Sequence, residues 1–237
     1  MPPDSLSTRA YASRSCLLAL GWFAITAGLL GVGEFVVHSH AITDVDRHIT
    51  NWVVDHRAPA LDATMKVVTW IGSWVAVAII GGAVLVLTLA KHLTRAALLL
   101  FVAAWAGEYA TVNIVKHLVG RPRPPRVLWL VTAHGASYPS GHAANATLVG
   151  AAAMAIAFLL TRRRSVRATA TTLGCLAIAV VGFSRVELGV HWTTDVLAGS
   201  LVTLVWLAAV AGLFATTVRL AVPRSGPDEP GIRQHAV

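Results

Sequence analysis

Three short segments in the second half of the chain carry the residues best suited to chemistry. Their side chains are lysine, arginine, serine, histidine and aspartate, and each segment adjoins a long apolar run. Lysine and arginine bind phosphate oxygens, and a histidine beside a carboxylate can act as a nucleophile or as a general acid and base. Together they indicate a reaction on a phosphate group. The residues are Lys116, Arg121, Arg123, the tetrapeptide Pro139-Ser140-Gly141-His142, the pair Ser184-Arg185, His191 and Asp195.

The serine, glycine and histidine at positions 140–142 stand where one apolar run begins. Backbone N–H groups at the start of a helix are free to bind an anion, and a glycine lets the anion approach closely. Gly120 and the prolines after it are expected to end the preceding helix. Lys116 would then lie in the last turn of that helix, with Arg121 or Arg123 on extended chain. These groups predict a phosphate site.

His191 and Asp195 are four residues apart, a spacing that places both on one face of a helix. The carboxylate would then hold the imidazole in one tautomer, and His142 would act as a second, independent acid and base. Arg185 adds a guanidinium fork suited to phosphate oxygens. No cluster of carboxylates is available to hold magnesium. We therefore expect neither a metal nor another cofactor, because the cations can neutralise the phosphate charge.

Each segment taken alone has a simpler explanation. A cation at the end of a membrane span usually extends to lipid headgroups, a Pro-Ser-Gly start is often a helix cap, and a His-Asp pair is often a surface contact. All three segments, however, reach one face of the predicted bundle and supply complementary parts of one site. Further candidates are Glu108, for a structural hydrogen bond or a role in the substrate cavity, and Asn145, as a support for His142.

The composition indicates an integral membrane protein. Of the 237 residues, 56% are hydrophobic and 13% are charged, against about a quarter charged in soluble proteins. The net charge of +8 comes from basic residues between long apolar runs, which is typical of membrane proteins and argues against nucleic-acid binding. A helix needs about twenty apolar residues to cross a bilayer. The candidate spans are Leu17–Val37, Val67–Ala90, Ala96–Val115, Ala143–Leu160, Ala168–Phe183 and Val196–Val218.

The lysines and arginines predict the orientation in the cell membrane. They concentrate in segments that lie on one side by parity, and the positive-inside rule makes that side cytoplasmic. The extracytoplasmic side receives the catalytic loops and the segment 37–66, which predicts a helix on the membrane surface. We predict an all-α bundle of about six transmembrane helices over residues 17–222, with a cytoplasmic tail at 1–16 and a polar, disordered tail at 223–237. The apolar residues of segment 37–66 at helical spacing are Ile42, Val45, Ile49, Trp52 and Val53.

The three segments resemble the sequence pattern of the type 2 phosphatidic acid phosphatase, or lipid phosphate phosphatase, superfamily. That pattern reads K-x6-RP, PSGH and SR-x5-H-x3-D, and this chain matches every position. The spacing selects Arg123 as the family arginine and leaves the role of Arg121 open. The motifs cover the second half of the chain, and six spans agree with the integral membrane members. The matching positions are Lys116, Arg123-Pro124, Pro139-Ser140-Gly141-His142, Ser184-Arg185, His191 and Asp195.

The resemblance implies a phosphatase that works through a phosphohistidine. By it, His191 is the nucleophile and Asp195 orients it, while His142 protonates the leaving oxygen and then activates water. The groups that would bind the phosphoryl oxygens are Lys116, Arg123, Ser140, Arg185 and the N–H of Gly141.

The expected substrate is a lipid phosphate, because the site opens at the membrane surface. We rank the diphosphate of an isoprenoid carrier such as undecaprenyl diphosphate first, since its two charges suit the cations of this region, and phosphatidate or phosphatidylglycerol phosphate next. Those cations are Lys116, Arg121, Arg123, Arg126 and Arg185.

Three other functions are compatible with parts of the pattern. A phosphotransferase that passes the phosphoryl group to a lipid alcohol would keep most of the motif. A transporter or scaffold would carry polar residues at mid-depth of several helices, whereas the charges here cluster at one face. Vanadium-dependent haloperoxidases have a similar site but are soluble. Membrane lipids are the partners we expect, and no pattern bears on the oligomeric state.

Overall fold

The computed structural model of this chain describes the backbone from Asp4 to Ala221 and the side chains from Leu20 to Gly212. Over these residues it contains helices and loops but no strand. Short 3-10 turns lie at Thr69–Gly72 and Arg126–Leu128. The α-helices are α1 Asp4–His38, α2 His40–Asp55, α3 Pro59–Val68, α4 Trp74–Leu89, α5 Arg95–Val119, α6 Gly141–Leu160, α7 Arg164–Glu187 and α8 Thr193–Ala221.

Five helices of the described part, α1, α5, α6, α7 and α8, are long and apolar enough to cross a bilayer. The segment Pro59–Gly72 and α4 meet the same criterion as a pair bent by 45°, which brings the number of crossings to six if the pair is one span. The predicted all-α bundle of about six membrane-spanning helices is therefore confirmed. The tail predicted at 223–237 lies outside the described residues, and α1 already begins at Asp4, within the predicted tail 1–16.

The candidate span Val67–Ala90 is not one straight helix. The chain forms α3, a 3-10 turn and then α4. Ser73 separates them, because its backbone is extended and its hydroxyl accepts a hydrogen bond from the amide of Ala76, which caps the start of α4. This part of the chain thus consists of two helices, and the bend between them is caused by the helix cap at Ser73.

The segment predicted to lie on the membrane surface divides into α2 and the beginning of α3. Pro59 is the first residue of α3. The first N–H groups of a helix have no partner within the helix, so a proline is tolerated there. Ile49 and Val53 of the predicted apolar set pack against α6, α7 and α8, whereas Trp52 is exposed. The buried face of α2 also carries Asp46. One face of α2 is therefore covered by protein.

Four helix termini meet at one end of the bundle, which we call the motif end. α5 and α7 end there, and α6 and α8 begin there. The connection between the candidate spans Ala168–Phe183 and Val196–Val218 is short, because α7 continues to Glu187 and α8 starts at Thr193. All three motif segments therefore lie at the motif end, with Arg185 in the last turn of a helix and not in a loop.

The start of α8 is pressed against the loop that leads into α6. A Cβ at Gly199 would overlap the backbone carbonyl oxygen of Ser140, so only glycine fits at this position. One turn further on, the hydroxyl of Thr203 donates to the carbonyl of Ala144 at 3.2 Å. The amide of Ser140 donates to the carbonyl of Asp195 at 2.9 Å. The distance between two of the motif segments thus depends on this close contact.

We expect Gly199→Ala to lower the melting temperature of the protein in detergent, because overpacking a tight contact costs about 1–3 kcal/mol. Gly212→Ala on the same helix is the matched control, since a Cβ there meets no atom within 4 Å. It should leave the melting temperature unchanged or raise it, because alanine favours helix. A thermal-shift assay compares the two, and equal melting temperatures for Gly199→Ala and the parent would contradict the close contact.

Candidate active site

Arg123 and His191 are in direct contact. Nη1 of Arg123 lies 3.0 Å from Nε2 of His191. A guanidinium can only donate hydrogen bonds, so Nε2 must carry the lone pair and the ring proton must be on Nδ1. Every donor of Arg123 has a partner, because its other N–H groups bind backbone carbonyls. These carbonyls belong to His134, Gly135, Ala136 and Val190.

The other ring nitrogen of His191 faces Asp195. Nδ1 lies 3.4 Å from Oδ2 of Asp195, within ion-pair distance but without hydrogen-bond geometry. The same oxygen accepts the amide of Trp192 at 2.9 Å. The prediction that both residues share one helix face is wrong, because α8 begins at Thr193 and His191 stands in the preceding turn. That turn nevertheless brings the two side chains together.

Lys116 reaches the loop before α6 from the last turn of α5. Its Nζ donates at 2.9 Å to the carbonyl of Ala136, which also accepts from Arg123. Ser137 holds this loop in place, since its amide and its hydroxyl both donate to the carbonyl of Arg121. Two cations therefore lie side by side on neutral oxygens, and neither forms an ion pair with the residues from Leu20 to Gly212.

Arg185 brings a third cation to this region and is 4% exposed. Its Nη1 donates to the hydroxyl of Thr69 at 2.7 Å, and its Nε has no partner in the described part of the chain. The backbone carbonyl of Arg185 accepts the amides of Val190 and His191, both at 3.2 Å. One compact turn thus connects this arginine to the histidine.

Ser140 and Gly141 open α6 as predicted. The hydroxyl of Ser140 accepts a backbone amide of the first turn, so it caps the helix. A Cβ at Gly141 would meet one side-chain atom, at 3.9 Å, so the backbone here is open to approach. Asn145, predicted to support His142, donates to the carbonyl of Gly72 at 3.0 Å and ties α6 to the break before α4.

The surroundings hold His191 neutral. Burial lowers the pKa of His191 well below its usual value, because a charged imidazole would lose its hydration. The nearby cations and His142 lower that pKa further. The neutral imidazole is the form that attacks an electrophile, because a protonated ring has no lone pair. The cations are Arg185, Arg123 and Lys116.

Arg121 has different surroundings. Its buried guanidinium bridges two carboxylates, with Nη1 2.6 Å from Oδ1 of Asp195 and Nη2 2.8 Å from Oδ2 of Asp46. Asp46 also accepts the amide and the hydroxyl of Thr194, at 3.1 and 2.5 Å. The positive charge of Arg121 is therefore shared by two carboxylates and is less available to a phosphate.

Asp46 is absent from the residues predicted for the site, although the sequence contains a signal for it. It lies four residues after Ile42 and three before Ile49, on the face of α2 that the apolar pattern predicts to be buried. A carboxylate on a buried face needs a cationic or hydrogen-bonding partner. The pattern thus indicates a partner for Asp46 without identifying it.

Glu108 is buried in α5, and its Oε2 has no hydrogen-bond partner among residues 20–212. Neither role predicted for it, the structural hydrogen bond or the substrate cavity, is tested by this geometry. Within the same residues, no group of three or more His, Cys, Asp or Glu side chains is arranged to hold a metal ion. The metal-free reaction stays a prediction.

A family model described as the PAP2 superfamily matches residues 96–219, just over half of the chain. The chain therefore belongs to the PAP2 superfamily, the family that the three motifs resemble. Phosphatidylglycerophosphatase B of Bacillus subtilis (strain 168) is 28% identical over 170 residues, which cover 69% of this chain and 80% of that protein.

Two solved structures resemble this fold. The crystal structure of the first transmembrane PAP2 type phosphatidylglycerolphosphate phosphatase from Bacillus subtilis matches with a TM-score of 0.65 at 26% identity, covering 84% of this chain and 94% of that one. The crystal structure of Aquifex aeolicus LpxE matches with a TM-score of 0.53 at 21% identity, covering 70% and 93%, and supports the fold alone. The chain is thus a multi-pass membrane phosphatase that hydrolyses phosphoric esters.

We expect the His191 ring to stay neutral at about pH 5.5, one unit below the ordinary histidine pKa of about 6.5. NMR of isotope-labelled ring nitrogens should show the proton on Nδ1, with His191→Ala identifying the signal. Arg123→Gln should raise the pKa, because it removes a neighbouring positive charge. Arg126→Gln is the control, since Arg126 is exposed and not among the groups that lower this pKa. A parent ring that protonates at its ordinary pKa would contradict the assignment.

Proposed function

We propose that this chain is a lipid phosphatase in which Nε2 of His191 attacks phosphorus to form a phosphohistidine. The observation that carries the proposal is the 3.0 Å contact between Nε2 and Nη1 of Arg123. A phosphoryl oxygen that took over the Nη1 hydrogen bond would release the lone pair of the neutral imidazole next to the phosphorus. Asp195 lies at the opposite ring nitrogen, where a carboxylate stabilises the positive charge that the ring acquires.

The reaction has two balanced steps. In the first, a bond forms from Nε2 of His191 to phosphorus while the bond from phosphorus to the leaving oxygen breaks, and His142 gives that oxygen a proton. In the second, His142 takes a proton from water, the water oxygen bonds to phosphorus, and the phosphorus–nitrogen bond breaks. The groups proposed to hold the phosphoryl oxygens are Lys116, Arg123, Arg185, the hydroxyl of Ser140 and the N–H of Gly141.

We place this reaction at the extracytoplasmic face of the cell membrane. The end of the bundle opposite the motif end carries Lys91 and Arg95 between α4 and α5, and the basic run 162–164 between α6 and α7. The positive-inside rule favours a cytoplasmic position for these loops and an outer position for the motif end. A lipid phosphate at the outer surface would then reach the site without leaving the membrane.

Phosphatidylglycerophosphate is the first candidate substrate. The Bacillus subtilis matches are both named as phosphatases of this lipid. The isoprenoid diphosphate, which the sequence favours, becomes the second candidate, because Arg121 is engaged by two carboxylates. It is retained because Arg126 lies beside Arg123, where the two arginines and His134 line a cavity of about 380 Å³ that could receive a second phosphate.

His191→Ala should lower kcat by several orders of magnitude while the protein stays folded, and Asp195→Asn should lower it less, since it misorients the nucleophile without removing it. His142→Ala should accumulate phosphoenzyme from p-nitrophenyl phosphate, because that leaving group needs little acid assistance whereas hydrolysis of the intermediate loses its base. Quenching with radiolabelled substrate measures a label that is stable in alkali and lost in acid. Near-normal turnover in folded His191→Ala would rule out this mechanism.

The substrate is tested by measuring kcat/KM in one detergent for phosphatidylglycerophosphate, undecaprenyl diphosphate, phosphatidate and p-nitrophenyl phosphate. We expect the lipids to exceed the soluble ester and phosphatidylglycerophosphate to be highest. A preference for the diphosphate would reverse the ranking, and Arg126→Gln should then weaken that substrate selectively. A preference for the soluble ester would overturn the lipid assignment. Adding a lipid alcohol shows whether the phosphoryl group is also transferred.

A further inference from the structure

We propose that Asp46, on α2, is a positioning residue for the catalytic histidine and acts through Arg121 and Asp195. The inference rests on the proposed function in one respect, that His191 is the nucleophile. Asp46 lies outside all three motifs and outside residues 96–219, which the family model covers. It reaches the site only because α2 packs against the beginning of α8.

A continuous series of contacts leads from α2 to the imidazole. Oδ2 of Asp46 binds Nη2 of Arg121 at 2.8 Å, and Nη1 of the same guanidinium binds Oδ1 of Asp195 at 2.6 Å. The remaining oxygen, Oδ2 of Asp195, lies 3.4 Å from Nδ1 of His191. None of the four side chains is more than 4% exposed. Water screens such charges little, so each one affects its neighbours strongly.

The charges explain why a second carboxylate is needed. Asp195 and Arg121 alone would form a neutral pair, and a neutral pair stabilises a cationic ring poorly. Asp46 also pairs with the guanidinium of Arg121, so Asp46, Arg121 and Asp195 together carry one positive and two negative charges. The excess negative charge is available at Asp195, on the oxygen nearest His191. Asp46 therefore keeps Asp195 an effective partner for the ring when phosphorylation makes that ring positive.

Asp46 has a structural role as well, which the experiment must separate from positioning. Its carboxylate accepts the amide and the hydroxyl of Thr194 in the first turn of α8. A carboxylate at the start of a helix stabilises that helix. Loss of this contact alone would lower stability without acting through Asp195, whereas loss of positioning would lower kcat through Asp195.

The test uses Asp46→Asn in the full chain, which removes the charge and keeps the size of the side chain. Asp44→Asn is the matched control on the same helix, because Asp44 is exposed and pairs with Arg47 at 3.2 Å on the surface. We expect Asp46→Asn to lower kcat about tenfold with little change in KM, a typical coupling between buried neighbours. Asp44→Asn should leave kcat unchanged. An unchanged kcat in folded Asp46→Asn, even with lower stability, overturns the proposal.

A double-mutant cycle shows whether the effect passes through Asp195. If it does, Asp46→Asn should cause no further loss of kcat in an Asp195→Asn background, because the residue it serves has already lost its charge. Independent, multiplied losses would overturn the proposal. If Asp46→Asn fails to fold, Asp46→Glu is tested in its place. This variant keeps the charge, so kcat should stay within a few-fold of the parent. A loss of kcat beyond tenfold overturns the proposal. Activity in His191→Ala would instead refute the proposed nucleophile, whatever Asp46 does.

Discussion

Three cations at the motif end, one buried and two partly buried, have no carboxylate partner among residues 20–212, and the rest of the site depends on this. Lys116, Arg123 and Arg185 form no ion pair within the described part of the chain. Neutral oxygens hold them instead, chiefly backbone carbonyls of residues 134–137 and the hydroxyl of Thr69. A carboxylate in those positions would compete with phosphate for each cation. Carbonyl dipoles satisfy the N–H groups and leave the positive charge free to act on an incoming anion.

Arg121 shows the opposite arrangement only two residues from Arg123. Its guanidinium is bound by the carboxylates of Asp46 and Asp195, so its charge is used within the protein. Removing one member of such a buried network typically costs about 3–5 kcal/mol, because an unpaired charge is left behind. The two arginines of this Arg-Pro-Arg-Pro segment therefore have different roles. Arg121 positions the carboxylate of Asp195 beside His191, and Arg123 contacts the imidazole ring itself.

The number of spans and the helix termini at one end could be predicted, because both follow from hydropathy and from where the motifs lie. The proximity of His191 to Asp195 was predicted for a different reason, since the two meet through a turn before α8 and not on one helix face. The break at Ser73 could not be predicted, since one serine is normally tolerated within an apolar helix. The partner of Asp46 lies 75 residues away in the sequence. Burial of that carboxylate follows from its place on the apolar face of α2, but the identity of its partner follows only from how α2 packs on the bundle.

The break in the second span also contributes to the site. In a continuous helix the carbonyl of Gly72 would be bound within the helix, whereas here it accepts a hydrogen bond from the side chain of Asn145 and anchors the 3-10 turn to α6.

The same turn carries Thr69, whose hydroxyl binds Nη1 of Arg185. A neutral hydroxyl holds this arginine while its Nε has no partner in the described part of the chain. Because a buried N–H without a partner is costly, a phosphoryl oxygen that bound Nε would gain more than the same oxygen meeting a fully hydrogen-bonded guanidinium. The bend thus helps to keep Arg185 available for the substrate.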